Sequence, residues 1–128
     1  MTSMTVRRET CGVAVVGGGS AGVAASVAAA RLGVKTLLIE RYGFLGGAAT
    51  QSLVLTYDGF LYRRPVAEWA VGGVGRELID SLAGFGCAVQ PTLSGNGNWI
   101  LPFAPEAAKA ALDRLVVDAG VECFLHAL

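Results

Sequence analysis

The chain has 128 residues, enough for one domain around one core. Hydrophobic residues make up 53% and charged residues 16%, which excludes a disordered chain. Ten Lys and Arg balance ten Asp and Glu, so the charge gives no reason to expect nucleic acid or an anionic membrane as partner.

Residues 1–10 are polar and read as a flexible tail, with Met4 an alternative start. The uncharged run from Gly12 to Ala30 follows Arg7 and Arg8 and imitates a signal or membrane segment. Gly17-Gly18-Gly19 sits in its middle, where a continuous helix would be weakest. A strand over Cys11–Val16, a glycine turn and a helix over Ser20–Leu32 explain the run better. The helix is expected to turn Ala21, Ala24, Ala25, Ala28 and Leu32 inward and to stop at Gly33. Val34–Glu40 reads as a second strand of the continuous apolar kind that a parallel sheet buries on both faces. Together these form a right-handed βαβ unit.

Beyond Glu40 the pattern loosens. Arg41–Ser52 is a glycine-rich loop, Leu53–Thr56 a short strand, and Asp58–Val71 irregular with aromatics. Gly73–Ala83 predicts a helix with Val74, Leu78 and Leu82 inward. Ala88–Phe103 alternates around Ser94-Gly95-Asn96-Gly97, which predicts a hairpin. Pro105 opens a clear helix, with Ala108, Ala111, Leu112, Leu115 and Val116 on one stripe and Gly120 behind it. Val121–Leu125 is a third parallel-type strand.

Gly17 to Gly22 (GGGSAG) matches GxGxxG. Gly17 permits the tight turn out of the strand, Gly19 leaves the backbone open to a pyrophosphate, and Gly22 lets the helix approach the sheet. Gly18, Ser20 and Ala21 complete the loop at the helix N-terminus, whose N–H groups and dipole attract phosphate. The motif alone is weak. Here a strand precedes it, a helix follows it, and Glu40, eighteen positions past Gly22, ends the next strand. A carboxylate there suits ribose hydroxyls and opposes the 2′-phosphate of NADP. These residues alone leave FAD and NAD unseparated.

The stretch VAVVGGGSAGVAASVAAARLGVKTLLIERYGFLGGAAT, Val13 to Thr50, resembles the opening of the FAD-dependent oxidoreductases of the glutathione-reductase-like superfamily. It is most similar to the subgroup whose second strand runs into E-R-Y-G-F-L-G-G-x-x-T. The likeness continues more loosely through GGVGRELIDSLAGFG and PEAAKAALDRLVVDAGVECFLH. The resemblance implies a Rossmann-like FAD/NAD(P)-binding α/β fold with a parallel sheet and a small hairpin insertion. FAD would be the cofactor and hydride transfer through the flavin the chemistry. It also implies that Arg41, Gly46, Gly47 and Thr50 belong to a loop folded over the pyrophosphate, with the Thr50 hydroxyl suited to donate to a phosphate oxygen.

Members of that superfamily are several times longer, so residues 11–128 read as an incomplete, N-terminal part of an FAD-binding domain. The sequence assigns no catalytic residue, no metal ligand and no substrate. A chain of this extent is expected to bind FAD poorly, to show no turnover, and to associate through an exposed sheet edge. The alternatives are a non-catalytic dinucleotide-binding fragment and a thiazole-synthase-like nucleotide-binding protein. Cys11, Cys87 and Cys123 form no CxxC and no metal spacing with His126, and read as buried free thiols in a reducing, cytoplasmic setting. Arg63 and Arg64 read as solvated surface, Trp69 and Trp99 as core or interface filling, and His126 as structural.

Overall fold

The computed structural model describes residues 6, 8–63 and 65–127. In chain order its elements are β1 (Val13–Val16), α1 (Ser20–Arg31), β2 (Thr36–Ile39), β3 (Thr56–Asp58), α2 (Gly73–Ser81), β4 (Thr92–Leu93), β5 (Trp99–Pro102), α3 (Pro105–Asp118) and β6 (Glu122–Phe124). Met4, Arg7 and Arg64 lie outside the described residues.

Two sheets result. The parallel sheet has the order β1-β2-β6, with Val13 opposite Thr36 and Leu38 opposite Cys123. Thr36, Leu37 and Leu38 are all buried, as a strand covered on both faces requires. Leu38 is fully enclosed, which contributes roughly 1.5–3 kcal/mol from burial alone. Among the described residues β1 has only β2 as a ladder partner, and Val16 is 81% exposed. The second sheet is antiparallel, in the order β3-β5-β4. The expected hairpin is therefore the core of a three-stranded sheet that β3 completes.

The helices α1, α2 and α3 pack on one another, with α1 against β1 and β2 and α3 against β6. Pro105 occupies the first turn of α3, where its missing N–H costs nothing, and Glu106 complements the dipole. The expected stripe is buried, joined by Ala107. Past the helix, Gly120 turns the chain into β6 with φ of 74°. Arg31 and Glu77 make a bidentate pair, 2.7 and 2.9 Å, that links α1 to α2.

Four expectations are corrected. The buried residues of α1 are Val23, Ser26 and Val27, while Ala21, Ala25, Ala28 and Leu32 are exposed. In an alanine-rich helix the few larger side chains decide the inward face, because each methyl carries little area. The third strand begins at Thr56 rather than Leu53: Leu53, Val54 and Leu55 are exposed, and Leu53 has φ of 54°, outside strand geometry. The cysteines are free as expected, but each is only half-buried. His126, expected near the end of a buried strand, lies past β6 and is exposed at φ of 54°, with its ring against Gly43. A Cβ on Gly43 would come within 2.6 Å of that ring.

Candidate functional site

The first glycine loop leaves β1 at Gly17, whose φ of 105° is a conformation that L side chains rarely adopt. Its N–H donates to the Ile39 carbonyl at 2.8 Å, so the turn stays tied to β2. Gly22 is required for a different reason. A Cβ there would overlap the Gly17 carbonyl oxygen and press on Val15, so only glycine lets α1 start this close to β1. Gly19, the N-cap of α1, is extended and makes no side-chain cap; the first turn holds no acidic residue. The first N–H groups of α1 therefore have no intrahelical acceptor and no side-chain cap, and the positive dipole end is left for an anion.

The second glycine loop folds back onto the first. Gly46 N–H donates to the Gly18 carbonyl at 2.8 Å, and Gly19 and Gly46 form a parallel bridge. A Cβ on Gly47 would stand 3.0 Å from Gly19 Cα, so the two backbones cross with no side chain between them. Gly47–Ala49 then makes a single 3₁₀ turn. The Thr50 hydroxyl is buried and donates to the Leu45 carbonyl at 2.6 Å. Its proton is thus committed to closing the loop, and the donation to phosphate expected of it is not the bond it makes here. Thr50 also sits where any Cβ on Gly46 would overlap it, and Gly46 has φ of 117°, so the position demands glycine on both counts.

Glu40 joins the two loops from below. It is 6% exposed, and its carboxylate accepts from Gly18 N–H at 2.6 Å through Oε2 and from Tyr42 N–H at 2.8 Å through Oε1. These charge-assisted bonds fix the turn after β1 against the loop after β2. Each oxygen retains lone-pair capacity beyond the single bond it accepts from the backbone. Arg41 is exposed and lies over the Tyr42 ring, 5.0 Å from its centroid.

The second sheet contributes a residue that the sequence pattern did not flag. Tyr57, in β3, places its hydroxyl 3.1 Å from that of Ser20, the first residue of α1. Its ring stacks on Phe103 at 4.7 Å and tilts against Phe60 at 5.2 Å. Burial raises the phenol's pKa, partly opposed by the hydrogen bond with Ser20, so the group stays protonated through neutral pH. Beside this pair lies an apolar cavity of about 360 Å³, bounded by Ala21 and Ala24 of α1, Val74 and Leu78 of α2, Leu112 of α3, and Phe60. A lone tyrosine in a three-residue strand carries no local signal; only the packing of the second sheet brings it to α1.

The remaining candidates lie elsewhere. Arg63 donates to the Asn96 carbonyl at 3.1 Å on the exposed hairpin. Trp69 is covered by the Arg76 guanidinium at 3.9 Å, and Trp99 packs partly buried against the core. Among the described residues there is no cluster of His, Cys, Asp and Glu that could hold a metal, and no helix long and apolar enough to cross a membrane.

Residues 12–128 match the family described as FAD dependent oxidoreductase. No curated protein matches the sequence. Among solved structures, THI4 of Thermovibrio ammonificans is similar at 24% identity and a TM-score of 0.53, covering 88% of this chain and 37% of its own. A geranylgeranyl bacteriochlorophyll reductase-like protein of Thermoplasma acidophilum is 22% identical, with a TM-score of 0.53 over 92% of this chain and 30% of its own. The 3-ketosteroid-delta4-(5alpha)-dehydrogenase of Rhodococcus jostii RHA1 is 19% identical, with a TM-score of 0.52 over 91% and 38%. The chain thus spans less than two fifths of each of these proteins, and the likeness establishes a shared fold.

Proposed function

Because the chain belongs to the family of FAD dependent oxidoreductases, we propose that it holds the adenosine diphosphate half of FAD for such an enzyme. One observation carries the reading: two glycine loops cross backbone to backbone at the uncapped N-terminus of α1. The residues present suit that half of the cofactor. The N–H groups of the first turn of α1 would meet the pyrophosphate, with Gly17, Gly19 and Gly47 leaving the approach open. The lone pairs that Glu40 keeps would accept from ribose hydroxyls, and its charge would repel a 2′-phosphate. Arg41, exposed and next to Glu40 in the chain, would border the adenosine. Gly18, Gly22, Gly46 and Thr50 hold the backbone that makes these contacts rather than make them.

The flavin, when bound, supplies the redox chemistry of the family by exchanging hydride. The groups of this chain named above would bind and orient that half of the cofactor. Contacts confined to the adenosine diphosphate half support weak retention of FAD and no turnover by the chain alone. The three free thiols suit a reducing, cytoplasmic setting. The open edge of β1 suits association with another strand.

Flavin fluorescence during titration of the full chain tests the proposal. FAD is expected to bind and to be displaced by ADP, with 2′-phospho-ADP much weaker. Saturable binding of NAD with none of FAD or ADP would overturn it in favour of a nicotinamide-nucleotide protein.

A further inference from the structure

We propose that Tyr57 is a positioning residue for the phosphate site, holding the Ser20 hydroxyl so that its proton faces the anion. The inference rests on the dinucleotide reading above and adds to it a residue from outside the βαβ unit. The glycine loop needs no such residue to turn, so the contact between β3 and α1 calls for its own account.

Three features argue for it. Ser20 is the first residue of α1, exposed beside the N–H groups that would meet the phosphate, and its hydroxyl can both donate and accept. Left alone, a serine hydroxyl at that position turns freely and competes for water. The Tyr57 ring has no such freedom: it is held between Phe103 and Phe60, and β3 is locked to β5 by the pairing of Tyr57 with Leu101. Its hydroxyl therefore arrives at Ser20, 3.1 Å away, from a fixed direction.

The sense of the bond follows from acidity. A phenol is the stronger donor of the two hydroxyls, and burial keeps this one protonated. With Tyr57 donating to Ser20 Oγ, the Ser20 proton is released to point outward. An anion at the helix N-terminus would accept it, and the two bonds in series would polarise each other. The arrangement also ties the second sheet to occupancy of the phosphate site, because the anion tightens a contact that ends in β3.

Calorimetric titration of ADP and of adenosine into the full chain separates a positioning role from a structural one. Tyr57→Phe keeps the ring between its two aromatic neighbours, so the fold is expected to survive, checked by near-ultraviolet circular dichroism. It should weaken ADP about 3- to 10-fold while leaving adenosine, which lacks the phosphates, within about twofold. Ser20→Ala should weaken ADP about 10-fold, and the double variant should bind no worse than Ser20→Ala alone. ADP binding unchanged in Tyr57→Phe, equal losses for ADP and adenosine, or additive effects in the double variant would overturn the inference and leave the dinucleotide site standing. Failure of the wild-type chain to bind ADP would remove both.

Discussion

Replacing Glu40 with alanine tests whether this carboxylate is part of the loop before it is part of any ligand contact. The side chain is buried and accepts two backbone N–H groups, from Gly18 at 2.6 Å and from Tyr42 at 2.8 Å. A hydrogen bond to a charged group contributes about 1.5–3 kcal/mol net, so losing both sets a ceiling of about 6 kcal/mol. Tyr42 is partly buried, and water can reach its freed N–H; Gly18 is buried and its donor is left stranded. The expected loss of folding stability for Glu40→Ala is therefore about 2–4 kcal/mol. Glu40→Gln keeps the shape and one acceptor but points an NH₂ at the other donor, and should lose about 1–3 kcal/mol. Urea melts with matched m-values give these differences directly. ADP affinity should fall in Glu40→Ala by more than a ribose contact alone accounts for, since the phosphate loop loses its support. A Glu40→Ala melt within about 0.5 kcal/mol of wild type would refute the structural role and return the residue to ligand binding alone.

The glycines should separate into two kinds. Gly22→Ala forces a methyl into the Gly17 carbonyl and should cost about 3 kcal/mol or more of stability, seen as a collapsed thermal transition. Gly19→Val has room at its Cβ, 3.9 Å from Gly47 Cα, so helical content should persist while ADP binding is lost; intact binding would contradict the phosphate assignment. Leu38→Ala, in the buried centre of the parallel sheet, should cost about 2–5 kcal/mol in a denaturant melt, whereas Val16→Ala on the open edge of β1 should stay within about 0.5 kcal/mol. Because that edge has no ladder partner among the described residues, sedimentation should show concentration-dependent association that a lysine at Val16 reduces.

Where the chemistry was local, the sequence disclosed it. The positive φ at Gly17 and Gly33, the proline start of α3 and the both-faces burial of β2 all follow from residue types within one turn or one strand. The inward face of α1 did not, because its alanines carry too little area to outweigh Val23 and Val27. Glu40 was visible as an acid at the right spacing, yet its two backbone donors come from segments 22 residues before it and two after it. Thr50 stood at the motif position, but its hydroxyl answers to Leu45. Tyr57 could not be read at all: its contact with Ser20 spans 37 residues and depends on how the second sheet docks on α1.

The central claim is that an adenosine diphosphate group lies on the crossed glycine loops at the start of α1. Backbone amide chemical shifts followed by heteronuclear NMR during an ADP titration test it residue by residue. The largest shifts should fall on Gly19, Ser20, Ala21 and Gly47, with smaller ones at Tyr42 and Tyr57. Shifts confined to Val74, Leu78 and Leu112 on the far side of the apolar cavity, or to the exposed hairpin around Arg63, with Gly19 and Gly47 unmoved, would place the ligand elsewhere and contradict the account.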